Sequence, residues 1–398
     1  MQITRVSTAV IEANFDWTIV KVETAEGVTG YGEAFMGPGL PAVIAEYAGV
    51  LIGEDPTSID RVLRRLYACS APSAPGLVLH AVHGIEGALL DAIGKHYKLP
   101  VWQILGGKYR AHVRVYADCH AGEALESLTP LLVPRRPQWA AASGQEEPSA
   151  VTPGAYAIRA REMAARGFGI LKFDVDVPTP YRADMHNRDL SGREVEHMAA
   201  LVAAAREAVG PDVGLAVDCH WSYSTQAAIN LARALERYNL MWLEDPTPPE
   251  NIAALGTVQR NTVLPLATGE NHYLRSDFER LIVEAGLRVL APDVQKIGLW
   301  QGRKIADLAD VHYVNLTLHN ISGPIGTMAG VHLCAAIPNF LALEWHAASV
   351  PFFDDLVKGA NAPLIGNGRI AVPDAPGLGI ELDEDVANKY RKPGEKFF

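Results

Sequence analysis

Thiols are scarce in this chain. It has four cysteines, Cys69, Cys119, Cys219 and Cys334, and none form a Cys-x-x-Cys pair. No disulfide framework is read from so few. Cys119 and Cys219 lie inside apolar runs, so buried free thiols and a reducing compartment are expected. Long apolar runs are lacking too. No stretch reaches membrane-spanning length, and the opening MQITRVSTAVIEANF holds neither an apolar signal core nor a cleavage site. A cytoplasmic protein with no membrane partner is expected. Positive charge is also short: 35 Lys and Arg against 46 Asp and Glu give a net charge of −11 and a pI near 5.6. That field disfavours nucleic acid and anionic membrane surfaces as partners. It leaves room for an anionic small molecule, because a bound cation and one lysine can outweigh it locally.

What is present is ample core material. The 398 residues are 48% hydrophobic and 20% charged, which suits a barrel with a cap. Residues 1–35 alternate as an antiparallel meander, and residues 40–105 carry apolar positions at helical spacing. From residue 113 the pattern changes. Strand candidates Val113–Cys119, Ile170–Val175, Val213–Asp218, Leu240–Glu244, Leu264–Thr268, Val289–Asp293, Val314–Leu318 and Phe340–Glu344 alternate with helical stretches that include 154–166, 193–208, 225–237, 274–285 and 301–309. Eight strands in one such alternation predict an α/β barrel with a parallel sheet. The expected division is an α+β cap over 1–112, a barrel over 113–369 and a segment over 370–398 that returns to the cap. Two long loops follow strand ends, 120–152 and 177–192. The first is read as a lid or an oligomer contact.

Three carboxylates dominate the barrel half. Asp218, Glu244 and Glu270 each close a short apolar run, in GLAVDCHW, LMWLEDP and LPLATGEN, at a spacing of 26 residues and 26 again. One strand, one helix and two loops take about that length. The three acids therefore belong at the C-terminal ends of successive parallel strands, the face where barrels carry their chemistry. A single acid at a strand end is as often a helix N-cap. Three in equal register repel one another unless a cation joins them, and hard oxygen donors in that number suit one Mg²⁺ per subunit.

The other strand ends complete the ring. Strand 2 ends in Lys172-Phe-Asp174, whose charged side chains share a face. Strand 3 gives Asp218-Cys-His220; strands 6, 7 and 8 end at Asp293, His319 and Glu344. Asp293 and His319 come from adjacent strands, so the carboxylate can fix the imidazole's tautomer. A cation with bases around it suits proton abstraction beside a carboxylate, with Mg²⁺ and Lys172 stabilising the enolate and His319 taking the proton.

These motifs together resemble the enolase superfamily, mandelate racemase subgroup: Lys172-x-Asp174, Asp218-x-His220, WLEDP with Glu244, TGEN with Glu270, PDVQKIG with Asp293, LHN with His319, and LEWH with Glu344. The resemblance covers nearly the whole chain. It implies a modified TIM barrel, (β/α)₇β, an N-terminal α+β capping domain completed by the C-terminal segment, and frequently a homo-oligomer. Racemases of the subgroup carry Lys-x-Lys on strand 2, where this chain has Asp174 in place of the second base. Asp174 is read as ionised and near Lys172 and the metal, binding either a substrate hydroxyl or Lys172. His220 matches the histidine with which acid-sugar dehydratases protonate a departing 3-hydroxyl. The resemblance therefore implies a sugar-acid (aldonate-type) dehydratase. In it Lys172 binds the substrate carboxylate, His319 is the C2 base, His220 the leaving-group acid, and Glu344 bonds a carboxylate oxygen. His346 and His272 are candidates to line the pocket or to serve structure, and Trp17 and Phe15 are candidates to reach substrate from the cap. Two alternatives stay open: an epimerase, racemase or cycloisomerase working through the same enolate, and a non-catalytic sugar-acid binder.

Overall fold

In a computed structural model of the chain, the described residues are 1–119, 137, 139, 151–177, 179–182, 184, 186–347 and 350–398. The expected lid over 120–152 lies almost wholly outside them.

The first 34 residues form the antiparallel meander β1 (Ile3–Glu12), β2 (Asp16–Thr24) and β3 (Thr29–Ala34). Helices α1 (Leu40–Leu51), α2 (Ile59–Ser70) and α3 (Leu77–Tyr97) follow. Among the described residues α3 alone has the length and apolarity to cross a membrane, and 89% of its apolar window is buried inside the fold. It lies hard against β3. A Cβ on Gly30 would stand 2.1 Å from the Ala88 carbonyl oxygen, and one on Gly32 would stand 2.2 Å from that of Gly84. Only glycine permits that approach of strand to helix.

The barrel follows as expected: among the described residues, eight parallel strands with one main helix in each of the seven connections. The strands are β4 (His112–Cys119), β5 (Ile170–Asp174), β6 (Gly214–Asp218), β7 (Leu243–Glu244), β8 (Leu266–Thr268), β9 (Val289–Leu290), β10 (Asn315–Leu318) and β11 (Phe340–Trp345). They pair in chain order, and β11 closes onto β4. The connections are α4 (Pro153–Ala165), α5 (Gly192–Val209), α6 (Thr225–Leu235), α7 (Ile252–Arg260), α8 (Arg275–Val283), α9 (Leu299–Val311) and α10 (Pro324–Ala336). Helices α4 to α7 start at Thr152, Ser191, Ser224 and Asn251, and each of these side chains accepts an N–H of the first turn. Inside the barrel Tyr116 and Trp242 pack edge to face at 5.5 Å among small residues such as Ala216, Ala267 and Ala342. This plug is the floor of the mouth.

Several expectations need correction. β7, β8 and β9 are shorter than the apolar runs that contain them. Cys69 is exposed, whereas the other three thiols are buried and free. A ninth strand was not foreseen: β13 (Arg369–Ala371) runs antiparallel to β4, after the two-residue β12 (Val357–Lys358) that pairs with β14 (Glu381–Leu382). Beyond it the tail reaches the cap. Phe397 bridges Ala9, Arg391 bridges Ile11, and Glu384 takes Lys21 at 2.5 Å and the Tyr31 hydroxyl at 2.6 Å.

Candidate active site

The strand ends set the site. In register, Asp174 lies opposite Asp218, Asp218 opposite Glu244, and Asp293 bridges His319. Glu270 comes two residues past β8. Oxygens of Asp218, Glu244 and Glu270 all lie within 4.8 Å of one another, and the three side chains are 1%, 0% and 6% exposed. Burial, with Asp218 and Glu344 adding to it, pushes the Glu244 carboxyl well above the usual carboxylate range, although Lys172 opposes this. Three buried oxygen donors short of positive charge fit a hard divalent cation such as Mg²⁺.

Lys172 stands at the centre of the floor, its ammonium over the Tyr116 ring. Its Nζ is 2.8 Å from Asp218, 2.7 Å from Glu344, 3.4 Å from Glu244 and 4.0 Å from Asp118. Burial would lower its pKa. Asp218, Glu244 and Glu344 outweigh burial and hold it well above its ordinary value, so the lysine stays charged. Burial likewise opposes ionisation of Asp218, but Lys172 and His220 bring that carboxyl down to about 2. Trp242 donates its indole N–H to Glu244 at 2.7 Å, fixing a second acid from below.

On one flank is the Asp293–His319 pair. His319 Nδ1 lies 2.6 Å from Asp293 Oδ2, and the backbone N–H of Gln295 donates to Asp293 Oδ1 at 2.7 Å. Nε2 faces Glu270 at 3.4 Å and Glu344 at 3.9 Å, and in the neutral imidazole, with Nδ1–H given to Asp293, it carries the lone pair. Glu344 is itself held by the Asn320 backbone N–H at 3.0 Å. Burial lowers the affinity of His319 for a proton, but Glu270, Glu344 and Asp293 prevail and push it up to about 10. A cation among the acids would act against that rise.

The opposite flank is built differently. His220 has φ +40° and Trp221 φ +60°, a tight left-handed turn directly after β6. The His220 backbone N–H donates to Asp218 at 3.0 Å, tying the turn to the acidic triad. Its Nδ1 lies 3.1 Å from Asp176 and 4.0 Å from Asp174. Burial would lower its pKa, and Asp218, Asp174 and Asp176 raise it well above the usual imidazole value. The side chain is 38% exposed, against 7% for His319.

Asp174 departs from expectation. It stands beside His220 and Asp176, not in the ring of acids about Lys172. Burial, opposed by His220 and reinforced by Asp118, Asp176 and Asp218, pushes its carboxyl well above the usual range. His346 does lie at the mouth, with Nε2 2.8 Å from Asp118 and Phe15 edge-on to its ring at 5.1 Å. Trp17 is packed inside the fold. It is 2% exposed, gives its indole N–H to the Ile321 carbonyl, and packs on Phe352 and Phe353. His272 sits against Phe278, under α8, and burial lowers its pKa. Asp118 and Asp176 were not singled out in the sequence. Asp176 continues the alternation of Lys172 and Asp174, and Asp118 ends its strand like the other acids, so both were within reach of the same rules.

Comparisons with known proteins agree with this geometry. Residues 155–386 match the enolase C-terminal domain-like family, and residues 4–106 match the mandelate racemase / muconate lactonizing enzyme N-terminal domain. D-xylonate dehydratase of Haloferax volcanii is 39% identical over 400 residues, covering 100% of this chain and 90% of that protein. D-galactarolactone cycloisomerase of Agrobacterium fabrum is 29% identical, covering 94% and 91%. The crystal structure of a mandelate racemase/muconate lactonizing enzyme-like protein from Rubrobacter xylanophilus superposes with a TM-score of 0.91 at 38% identity, over 100% of this chain and 99% of that one. Family matches over 4–106 and 155–386, together with a relative 39% identical over the whole chain, identify the chain as a member of the mandelate racemase/muconate lactonizing enzyme family of the enolase superfamily.

Proposed function

We propose that the protein is a Mg²⁺-dependent dehydratase of an aldonate-type sugar acid, giving a 2-keto-3-deoxy acid. One observation carries this reading: two histidines flank the acidic triad, each held by its own aspartate, His319 by Asp293 and His220 by Asp176. Loss of water needs one group to take a proton and another to give one. Two relatives, named D-xylonate dehydratase and D-galactonate dehydratase, support the same reaction class.

Asp218, Glu244 and Glu270 would hold the Mg²⁺, which when bound offsets negative charge growing on the substrate carboxylate. His319 Nε2 removes the C2 proton, and Asp293 stabilises the imidazolium that results. Lys172 and Glu344 face the carboxylate end of the substrate: the ammonium binds it, and Glu344 shares a hydrogen bond with one oxygen. As the C2–H electrons form the C2–C3 double bond, the C3–O bond breaks. His220 protonates the departing hydroxyl, which leaves as water. The enol then tautomerises to the ketone. Asp174 and His346 would meet substrate hydroxyls beyond C3.

The test is a screen of sugar acids with Mg²⁺, reading 2-keto acid and α-proton exchange in deuterated buffer. Keto acid from one substrate class supports the dehydratase. Exchange without keto acid would sink it in favour of a cycloisomerase. That second reading draws support from the galactarolactone cycloisomerase relative and from His319 as a single base, with Asp174 where racemases keep a second. We further place the protein in the cytoplasm as a homo-oligomer, divided at 112/113 and 369/370.

A further inference from the structure

A carboxylate of the cap grips both strand ends that carry the base pair. Glu33, on β3, is 5% exposed. Its Oε1 accepts the Gly323 backbone N–H at 2.7 Å and its Oε2 that of Gly326 at 2.8 Å. Gly323 is the N-cap of α10 and Gly326 lies in its first turn, and Gly323 comes four residues after His319. The Gln295 amide nitrogen closes on the same place, 2.8 Å from where a Cβ on Gly326 would stand, and the Gln295 side chain draws the Glu33 carboxyl down. Gln295 lies two residues after Asp293 and holds Asp293 through its own backbone N–H.

The fit leaves no slack. A Cβ on Gly323 would stand 2.7 Å from the Trp17 ring and 3.2 Å from Glu33, and one on Gly326 would stand 2.8 Å from the Gln295 amide nitrogen. On the cap side, the glycine contacts between β3 and α3 fix where Glu33 starts. Burial raises the Glu33 carboxyl to about 7, while Gly326, Gly323 and Gln295 draw it down.

A second cap acid gives the comparison. Glu86, on α3, accepts the Trp300 backbone N–H at 2.6 Å in the first turn of α9. It is buried like Glu33 and docks a barrel helix in the same way. Trp300 lies seven residues past Asp293, and Glu86 has no link to Gln295, Asp293 or His319 among its described hydrogen bonds.

We propose that Glu33 is a positioning residue for the general base: by holding Gln295 and the start of α10 together, it sets the Asp293–His319 geometry from the other domain. The idea rests on His319 being the base, but its test does not need a substrate. In Glu33→Gln the shape is kept, and an amide N–H now opposes a backbone N–H. In Gln295→Met the link to Asp293 alone is cut.

The measurement is proton NMR of ¹⁵N-histidine-labelled full-length protein with Mg²⁺. The far-downfield Nδ1–H resonance of the Asp293–His319 bond is assigned by its disappearance in His319→Asn. Glu33→Gln and Gln295→Met should shift or broaden it, and Glu86→Gln should leave it in place while lowering the melting temperature. With a substrate in hand, kcat in Glu33→Gln should fall on the order of 100-fold, the scale of a misplacement of about 1 Å, with KM and Mn²⁺ affinity unchanged. A resonance unmoved in both Glu33→Gln and Gln295→Met overturns the proposal, and so does an equal shift in Glu86→Gln, which would mean that cap docking in general is responsible. If Glu33→Gln does not fold, Gln295→Met decides alone. A shifted resonance with no turnover on any sugar acid would count against the proposed reaction and not against the positioning role.

Discussion

The two flanks of the acidic triad hold the same pair of groups in opposite ways. On the β10 flank, His319 is sealed, bonded at 2.6 Å to an aspartate from the neighbouring strand end, and backed by the cap. On the β6 flank, His220 is over a third exposed, sits in a left-handed turn, and bonds Asp176 at 3.1 Å. The first arrangement suits a base that must meet a weak carbon acid at one fixed point, where misplacement is expensive. The second suits a proton donor that meets a departing hydroxyl near solvent. On the proposed reaction, the more rigid flank is the one where the harder bond would be broken.

The sharpest way to break that contrast is to remove each histidine. His319→Asn should cost ~10⁴-fold in both keto-acid formation and α-proton exchange, near the upper end for general base catalysis. His220→Asn should cost roughly 10²-fold in keto acid and spare exchange. Equal loss of exchange in both variants would end the division of labour. The supporting acids come next. Asp293→Asn should lower both readouts, and Asp176→Asn only elimination, each by about 10 to 100-fold, as for other groups that orient a functional histidine. Metal removal is smaller in stability terms. Mg²⁺ at 100 times its Kd adds about 2.7 kcal/mol, so EDTA should lower the melting temperature by several degrees. In Glu244→Gln that difference should shrink, and a full-sized difference would place the cation elsewhere. The smallest effect belongs to Trp17→Phe, which loses one buried hydrogen bond worth about 1 kcal/mol and should leave KM unchanged. A raised KM would return Trp17 to the substrate pocket.

The contrast also marks how far sequence reading reaches. The flanking acids were legible because a charge at the end of an apolar run is costly anywhere except at a functional strand end. The Asp293–His319 pairing followed from adjacency of strands. Asp176 was equally visible by alternation and was passed over, because the next landmark, His220, lay on another strand. α10 went unassigned for a physical reason: all 13 residues of PIGTMAGVHLCAA are buried, so no polar face betrays its period. β7 was overlong because Leu240 and Trp242 are buried without belonging to the ladder. Trp17 was expected at the substrate from the resemblance alone, which says nothing of its packing on Phe352 and Phe353. Glu33 was invisible in principle. Its partners lie about 290 residues away, and nothing local in GYGEAF names them.

The glycine seam between β3 and α3 carries a last consequence, for recombination among relatives. Because Gly30 and Gly32 touch helix backbone, residues 29–97 behave as one casting, with Glu33 at a fixed reach from the barrel. A crossover inside that block would shift the carboxylate and spoil the base whatever sugar the hybrid was meant to take. Crossovers at the hairpin of residues 13–15, where Asn14 meets the His346 carbonyl at 2.8 Å and Phe15 meets its ring, leave the casting whole. Whole-cap exchange should thus succeed only between relatives that share the seam and its carboxylate.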